Sequence, residues 1–210
     1  AMRRRFEEHP ADRRNAMEDN KRSVFPVRNL VLMGVLIAMQ VVLARFLGIQ
    51  INEGLRVSFE CIPIILAGFW LGPISGMLVG AVSDILGTVL SGYGAYFPLL
   101  TVGPMLLGAL CGLGGKWAIR HWSDDWKGMW RFLLVVIVAE CVNSLLYGTW
   151  ALTLYYSIIV GKEMPFSALF LARLATKPAT ILVDAIVACL VHRATYKPVI
   201  RPYLKRAAQY

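Results

Sequence analysis

The sequence has few charges for its length, few histidines and no paired cysteines, and each shortage removes a class of function. Only 17% of its 210 residues are charged while 57% are hydrophobic. The apolar residues come in long blocks, which excludes an ordinary soluble domain. Four cysteines, Cys61, Cys111, Cys141 and Cys189, sit inside apolar segments with no CxxC spacing. Neither a disulfide framework nor a zinc site is supported, and they read as small hydrophobes. The three histidines, His9, His121 and His192, are scattered among residues expected to be cytoplasmic or interfacial. From them no metal centre and no Ser-His-acid triad assembles, and no cofactor is expected. No GxxxxGK(S/T) phosphate loop occurs, so any energy for work must come from another subunit or a gradient. Residues 1–28 have no apolar core of the kind a secretory signal carries.

What is present is an all-α integral membrane protein with six expected spans. The first is Leu30 to Ile49, whose 20 residues match a hydrocarbon core of about 30 Å. Its small residues Gly34 and Ala38 offer a flat face to another helix, inside this protein or in another subunit. Arg45, near the end of that span, is expected to snorkel. After a polar turn, QINEGLR, a shorter span runs from Val57 to Leu71 and is interrupted by Pro63, with Glu60 near its start. Short or Pro-broken spans often line a cavity. The third span, Pro73 to Leu90, carries Gly76, Gly80 and Asp84 at i, i+4, i+8, a glycine ridge leading to one acid. The fourth, from about Tyr96 to Ile119, contains Pro98 and Pro104 and is expected to bend or start unwound. The loop KWAIRHWSDDWKGMWR holds four of the six tryptophans, as an interfacial belt would. The fifth and sixth spans, Phe132 to Val160 and Phe166 to Val191, are long enough to tilt.

The net charge of +9 would suit a nucleic-acid partner, but the basic residues lie between the apolar blocks and at the ends. Seventeen Lys and Arg fall on one side of the expected membrane, against Arg56 and Lys162 on the other. The positive-inside rule then puts both termini in the cytoplasm. Residues 1–28 read as a polar cytoplasmic tail, with a helix lying on the membrane surface as the alternative. Residues 29–196 form the transmembrane domain and 197–210 a basic cytoplasmic tail.

Counting from the outer ends of their spans places Asp84 and Arg173 each about 10 Å deep, where they could meet. An ionisable group at such depth is expensive and normally faces protein or a cavity. Lys177 follows Arg173 by four residues on one helix face, beside Pro178. Two cations so close need an anion between them, either Asp84 and Glu60 or an anionic ligand. The fifth span aligns Glu140, Asn143, Tyr147 and Trp150 on one stripe. With Tyr93, Tyr96 and Phe97 these residues describe an outward pocket suited to a flat polar ring carrying carboxylates. Aromatics would stack on the ring, a carboxylate would accept its N–H groups, and Arg173 and Lys177 would hold its acids. Glu140 and Asp184 count toward the cytoplasmic half and are expected to be structural or partner-facing.

The stretch RVSFECIPIILAGFWLGPISGMLVGAVSDILGTVLSGYGAYFP resembles the second and third spans of the folate-type substrate-binding (S) components of energy-coupling factor (ECF) vitamin transporters. VNSLLYGTW and ARLATKPATILVDA resemble their fifth and sixth spans, and the resemblance covers residues 28 to 196. It implies a six-helix S-component fold in a bacterial cell membrane. It also implies high-affinity folate binding from outside, docking on a shared T subunit that carries two ATPase subunits, and toppling to release cargo. Gly34 and Ala38 match the family's small-residue T-subunit contact, as a GxxxA departure from AxxxA, and Arg173 matches a ligand contact. Lys177-Pro178 and the charged N-terminal tail depart from the pattern and leave open another vitamin, such as cobalamin or a pterin or pyrimidine precursor. The competing class is a membrane enzyme acting on lipid through Asp84, Glu140 and Asp184. Those acids count to different depths and lack metal-ligand spacing, so no enzyme activity is expected.

Overall fold

The computed structural model describes residues 27–46, 49–52, 55–57, 59–91, 97–120, 126–161 and 165–196. The tails expected at 1–28 and 197–210 lie outside them, except that Val27 and Arg28 already belong to the first helix. Among the described residues six helical segments follow one another. Helix α1 is Val27–Phe46, α2 Cys61–Leu71, α3 Pro73–Ser91, α4 Pro98–Arg120, α5 spans 126–160 and α6 is Phe166–Thr195. Five of them are long and apolar enough to cross a membrane, and α2, with 11 residues, is shorter. The chain is a multi-pass integral membrane protein.

Two expected spans change shape. The polar turn after α1 is an antiparallel hairpin, with strands β1, Ile49–Asn52, and β2, Leu55–Val57, paired through Ile49 with Val57 and Gln50 with Arg56. It takes Ile49 from the first expected span and Val57 from the second. Pro63 does not interrupt α2, because it falls in the first turn, where a backbone N–H has no intrahelical acceptor to lose. For the same reason Pro98, the first residue of α4, starts that helix cleanly, while Pro104 and Pro178 lie inside α4 and α6.

Helix α2 is apolar on every side and buried from Ile62 through Phe69, as expected of a helix surrounded by others. Around it α1, α3, α4 and α6 pack, and its Ile64, Ile65 and Leu66 join Val79, Leu107, Val136 and Ala185 in one core. The outer faces stay apolar too: Val31, Val35, Val82, Leu134, Leu171 and Leu190 are exposed, as lipid-facing residues should be.

The glycine ridge of α3 faces α4. A Cβ built on Gly76 would come within 2.5 Å of the Gly108 carbonyl oxygen, and one on Gly80 would strike the Pro104 carbonyl oxygen. One turn further, Thr101 Oγ1 donates to Asp84 Oδ2 at 2.8 Å. The small residues thus set the backbones in contact, and the acid closes the same seam with a hydrogen bond.

At the other end of the helices His192 is fully buried, stacked on Phe132 at 4.8 Å, and its Nδ1 accepts from Trp70 Nε1–H at 3.0 Å. It joins α2, α5 and α6, so the scattered histidine of the sequence is a core residue. Of the tryptophan belt, Trp117 and Trp130 are exposed on helices, with the Arg131 guanidinium 5.6 Å from the Trp117 ring. Trp122 lies outside the described residues.

Candidate functional site

The irregular part of the molecule is α5. Its regular turns, Trp126–Glu140 and Gly148–Tyr155, are separated by a π-helical stretch, Cys141–Tyr147, and a second one, Tyr156–Val160, ends at Gly161 in the left-handed region (φ 69°). A π turn adds a residue to the helix and rotates the side chains that follow, and such turns concentrate at functional sites. Nothing in the spacing of apolar residues announces it. Of the stripe Glu140, Asn143, Tyr147 and Trp150, the last three stay together, Asn143 and Tyr147 both facing Gly103 and Tyr147 beside Trp150.

Within the first π stretch Asn143 and Tyr147 turn toward α4. Asn143 Oδ1 lies 3.1 Å from where a Cβ on Gly103 would stand, and Tyr147 Oη–H donates to the Leu99 carbonyl at 2.7 Å. Toward α6, the Ser144 carbonyl accepts from Arg173 Nη1 at 2.8 Å. The same Nη1 would sit 2.8 Å from a Cβ on Gly148, so a glycine there lets the guanidinium lie against the α5 backbone. Tyr156 is close enough for its hydroxyl to bear electrostatically on Arg173. Aromatic rings complete this side, with Tyr147 and Trp150 5.9 Å apart and Phe97 edge-on to Tyr155 at 5.8 Å. Trp150 is exposed and Phe97 half-buried, whereas Tyr96 and Tyr93 lie outside the described residues.

The expected constellation is divided among three neighbourhoods. Asp84 and Arg173, counted to a depth where they could meet, form no ion pair among the described residues: Asp84 binds Thr101 across the α3–α4 seam while Arg173 braces on α5. Glu60, at the N-terminus of α2, and Lys177 bear electrostatically on a third group, Cys61, Glu140 and Asp184, instead of on Arg173. Glu140 and Asp184, both counted toward the cytoplasmic half and expected to be structural or partner-facing, come together there. On α1, Ala38 and Gly34 are exposed, and a Cβ on Gly34 would meet nothing within 4 Å. Ser144, Gly148, Gly103 and Thr101 are the site neighbours the sequence did not single out. Of these only VNSLLYGTW, which contains Ser144 and Gly148, carried a signal.

Residues 24–197 match the family model of the ECF-type riboflavin transporter, S component. The chain belongs to the S-component family of ECF transporters. Among its relatives, the folate transporter FolT of Clostridium novyi (strain NT) is 30% identical over 162 residues, 77% of this chain and 86% of that protein. A folate transporter FolT of Leuconostoc mesenteroides is 30% identical over 146 residues, 67% of this chain and 75% of that one. Among solved structures, a FolT crystal structure with folic acid superposes with a TM-score of 0.61 at 26% identity, covering 79% of this chain and 91% of that one. An S component for biotin reaches the same TM-score at 19% identity over 81% and 92%, a likeness of fold alone. This S component therefore places its polar groups on a scaffold shared by proteins with different ligands.

Proposed function

We propose that this S component binds folate from outside a bacterial cell, with both termini in the cytoplasm, and performs no chemistry on it. It hands the vitamin on through a T subunit driven by two ATPase subunits. The observation that carries the reading is Arg173: a half-buried guanidinium in a membrane-spanning helix, with no carboxylate partner among the described residues, braced by a backbone carbonyl and within electrostatic reach of Tyr156. One of its five N–H donors is used on Ser144, which leaves the fork available to a ligand carboxylate. Lys177 adds the second cation and Asn143 an amide. Phe97, Trp150, Tyr96 and Glu60 complete the proposed lining, and Asp84 Oδ1 is the oxygen left for ring N–H groups once Thr101 holds Oδ2.

Relatives that transport folate support the ligand. The family model is described by riboflavin, whose flat ring would stack as well but which carries no carboxylate for a guanidinium. The cations favour folate. Gly34 and Ala38, exposed beside Val31 and Val35 on α1, suit contact with the T subunit. Titrating the purified chain with folate and with riboflavin, followed by tryptophan fluorescence, tests the proposal. Saturable quenching by folate at nanomolar to low micromolar concentration, with recovery of unchanged folate, is expected. Tight binding of riboflavin and none of folate would replace the ligand and keep the family.

A further inference from the structure

Cys61 on α2, Glu140 on α5 and Asp184 on α6 are far apart in sequence, yet one ligand atom from each lies within 4.8 Å of the other two. Both acids are shut away, Glu140 4% and Asp184 7% exposed. Among the described residues Glu140 Oε1 and Asp184 Oδ1 have no hydrogen-bond partner, so two buried carboxyl oxygens go unsatisfied in the group. Lys177 and Glu60 are the other charged groups that bear on the three side chains, and neither forms an ion pair with them among the described residues. A buried pair of ionised carboxylates beside a thiol is costly unless a proton, a cation or a hydrogen-bond donor stands between the oxygens.

We propose that Cys61, Glu140 and Asp184 are the ligands of a divalent-cation site, with Zn2+ as the occupant. One thiolate with two carboxylates is a mixed S/O set. It suits a cation of borderline softness, whereas Mg2+ and Ca2+ take oxygen alone. Tetrahedral Zn2+ holds such atoms about 3.5 Å apart, so a small contraction closes the set, and three protein ligands leave a fourth position for water. Asp184 lies eleven residues beyond Arg173, about 16 Å along α6, so the ion site is distinct from the proposed Arg173 contact, while Lys177 and Glu60 of the proposed lining bear on both acids. It pins three helices at the residue preceding the first π stretch of α5, and so fixes the register from which Asn143 and Ser144 are presented. The sequence hides it because no two ligands share a motif.

Metal-stripped full-length chain in detergent micelles, titrated with Co2+, tests the site. Binding of about one Co2+ per chain is expected, with thiolate-to-cobalt absorption in the near ultraviolet that Zn2+ abolishes by displacement. Cys61→Ser, a one-atom change, should remove that absorption. Glu140→Gln and Asp184→Asn should each weaken Co2+ affinity about tenfold or more. Zn2+ should raise the unfolding temperature of the wild type and leave that of Cys61→Ser unmoved. A folded wild-type chain with no thiolate absorption, or Cys61→Ser binding Co2+ as the wild type does, would overturn the site. Folate titration of the stripped chain keeps this outcome distinct from failure of the folate reading.

Discussion

The α3–α4 seam and the α5–α6 pair are built on opposite rules. Along the seam Gly76, Gly80 and Asp84 meet Gly108, Pro104 and Thr101 turn by turn, backbone against backbone, with the Thr101–Asp84 side-chain hydrogen bond at the end. Across α5 and α6 the helix is π-wound, a proline lies inside α6, and a half-buried guanidinium and two buried acids sit where apolar packing would be cheaper. Close-packed regularity leaves no volume for a ligand and makes a scaffold. Departures from it free carbonyls, rotate side chains and hold charges unneutralised, which is what recognition of a charged molecule requires.

Breaking the seam should have the largest effect. Gly80→Leu drives a branched side chain into the Pro104 carbonyl. The expected cost is upwards of about 3 kcal/mol, seen as loss of monodisperse protein on size exclusion together with all folate binding. On the other side, Arg173→Ala should keep the fold and lower folate affinity at least about tenfold, about 1.4 kcal/mol, by fluorescence titration. An unchanged Kd would remove Arg173 from the pocket. Asp84→Asn tests the boundary between the two regions. It keeps an acceptor for Thr101, so the unfolding temperature should stay nearly level, while loss of the charged acceptor weakens folate binding by about fivefold, roughly 1 kcal/mol. If affinity is untouched, Asp84 belongs to the seam alone. The smallest effect is expected for Gly148→Ala, whose methyl displaces the Arg173 guanidinium by a few tenths of an ångström. A rise in folate Kd of about threefold, under 1 kcal/mol, with stability unaltered is predicted by calorimetry.

Long apolar runs made α1, α3, α4 and α6 legible to within a few residues, because hydrocarbon thickness fixes span length. The glycine ridge was equally legible, since small residues at i, i+4 can mean little but a close neighbour. The hairpin 49–57 was hidden because its strands are too short to show alternation. The π turns of α5 were hidden because they go with tertiary contacts, such as the Arg173 guanidinium on the Ser144 carbonyl, and not with local propensity. His192, polar in composition, became core only because Trp70 offers its indole N–H and Phe132 its face. Arg173 was visible as a cation at depth, while whether it faced Asp84 or a ligand stayed open, because residue counting gives depth along a helix and says nothing of azimuth.

The corner between α2 and α3 is one residue wide. Gly72, at φ 94°, donates its N–H to the Gly68 carbonyl and accepts from Gly76 N–H through its own carbonyl, both at 3.0 Å. Backbone bonding therefore crosses the corner from one helix to the next, and the bend leaves no slack for the two to swivel independently. Mechanically the pair is an elbow set at a fixed angle. When α3 leans, the Cys61 end of α2 must swing with it, so a push delivered at the membrane-facing surface of the scaffold is carried into the interior as a rotation and not absorbed as bending.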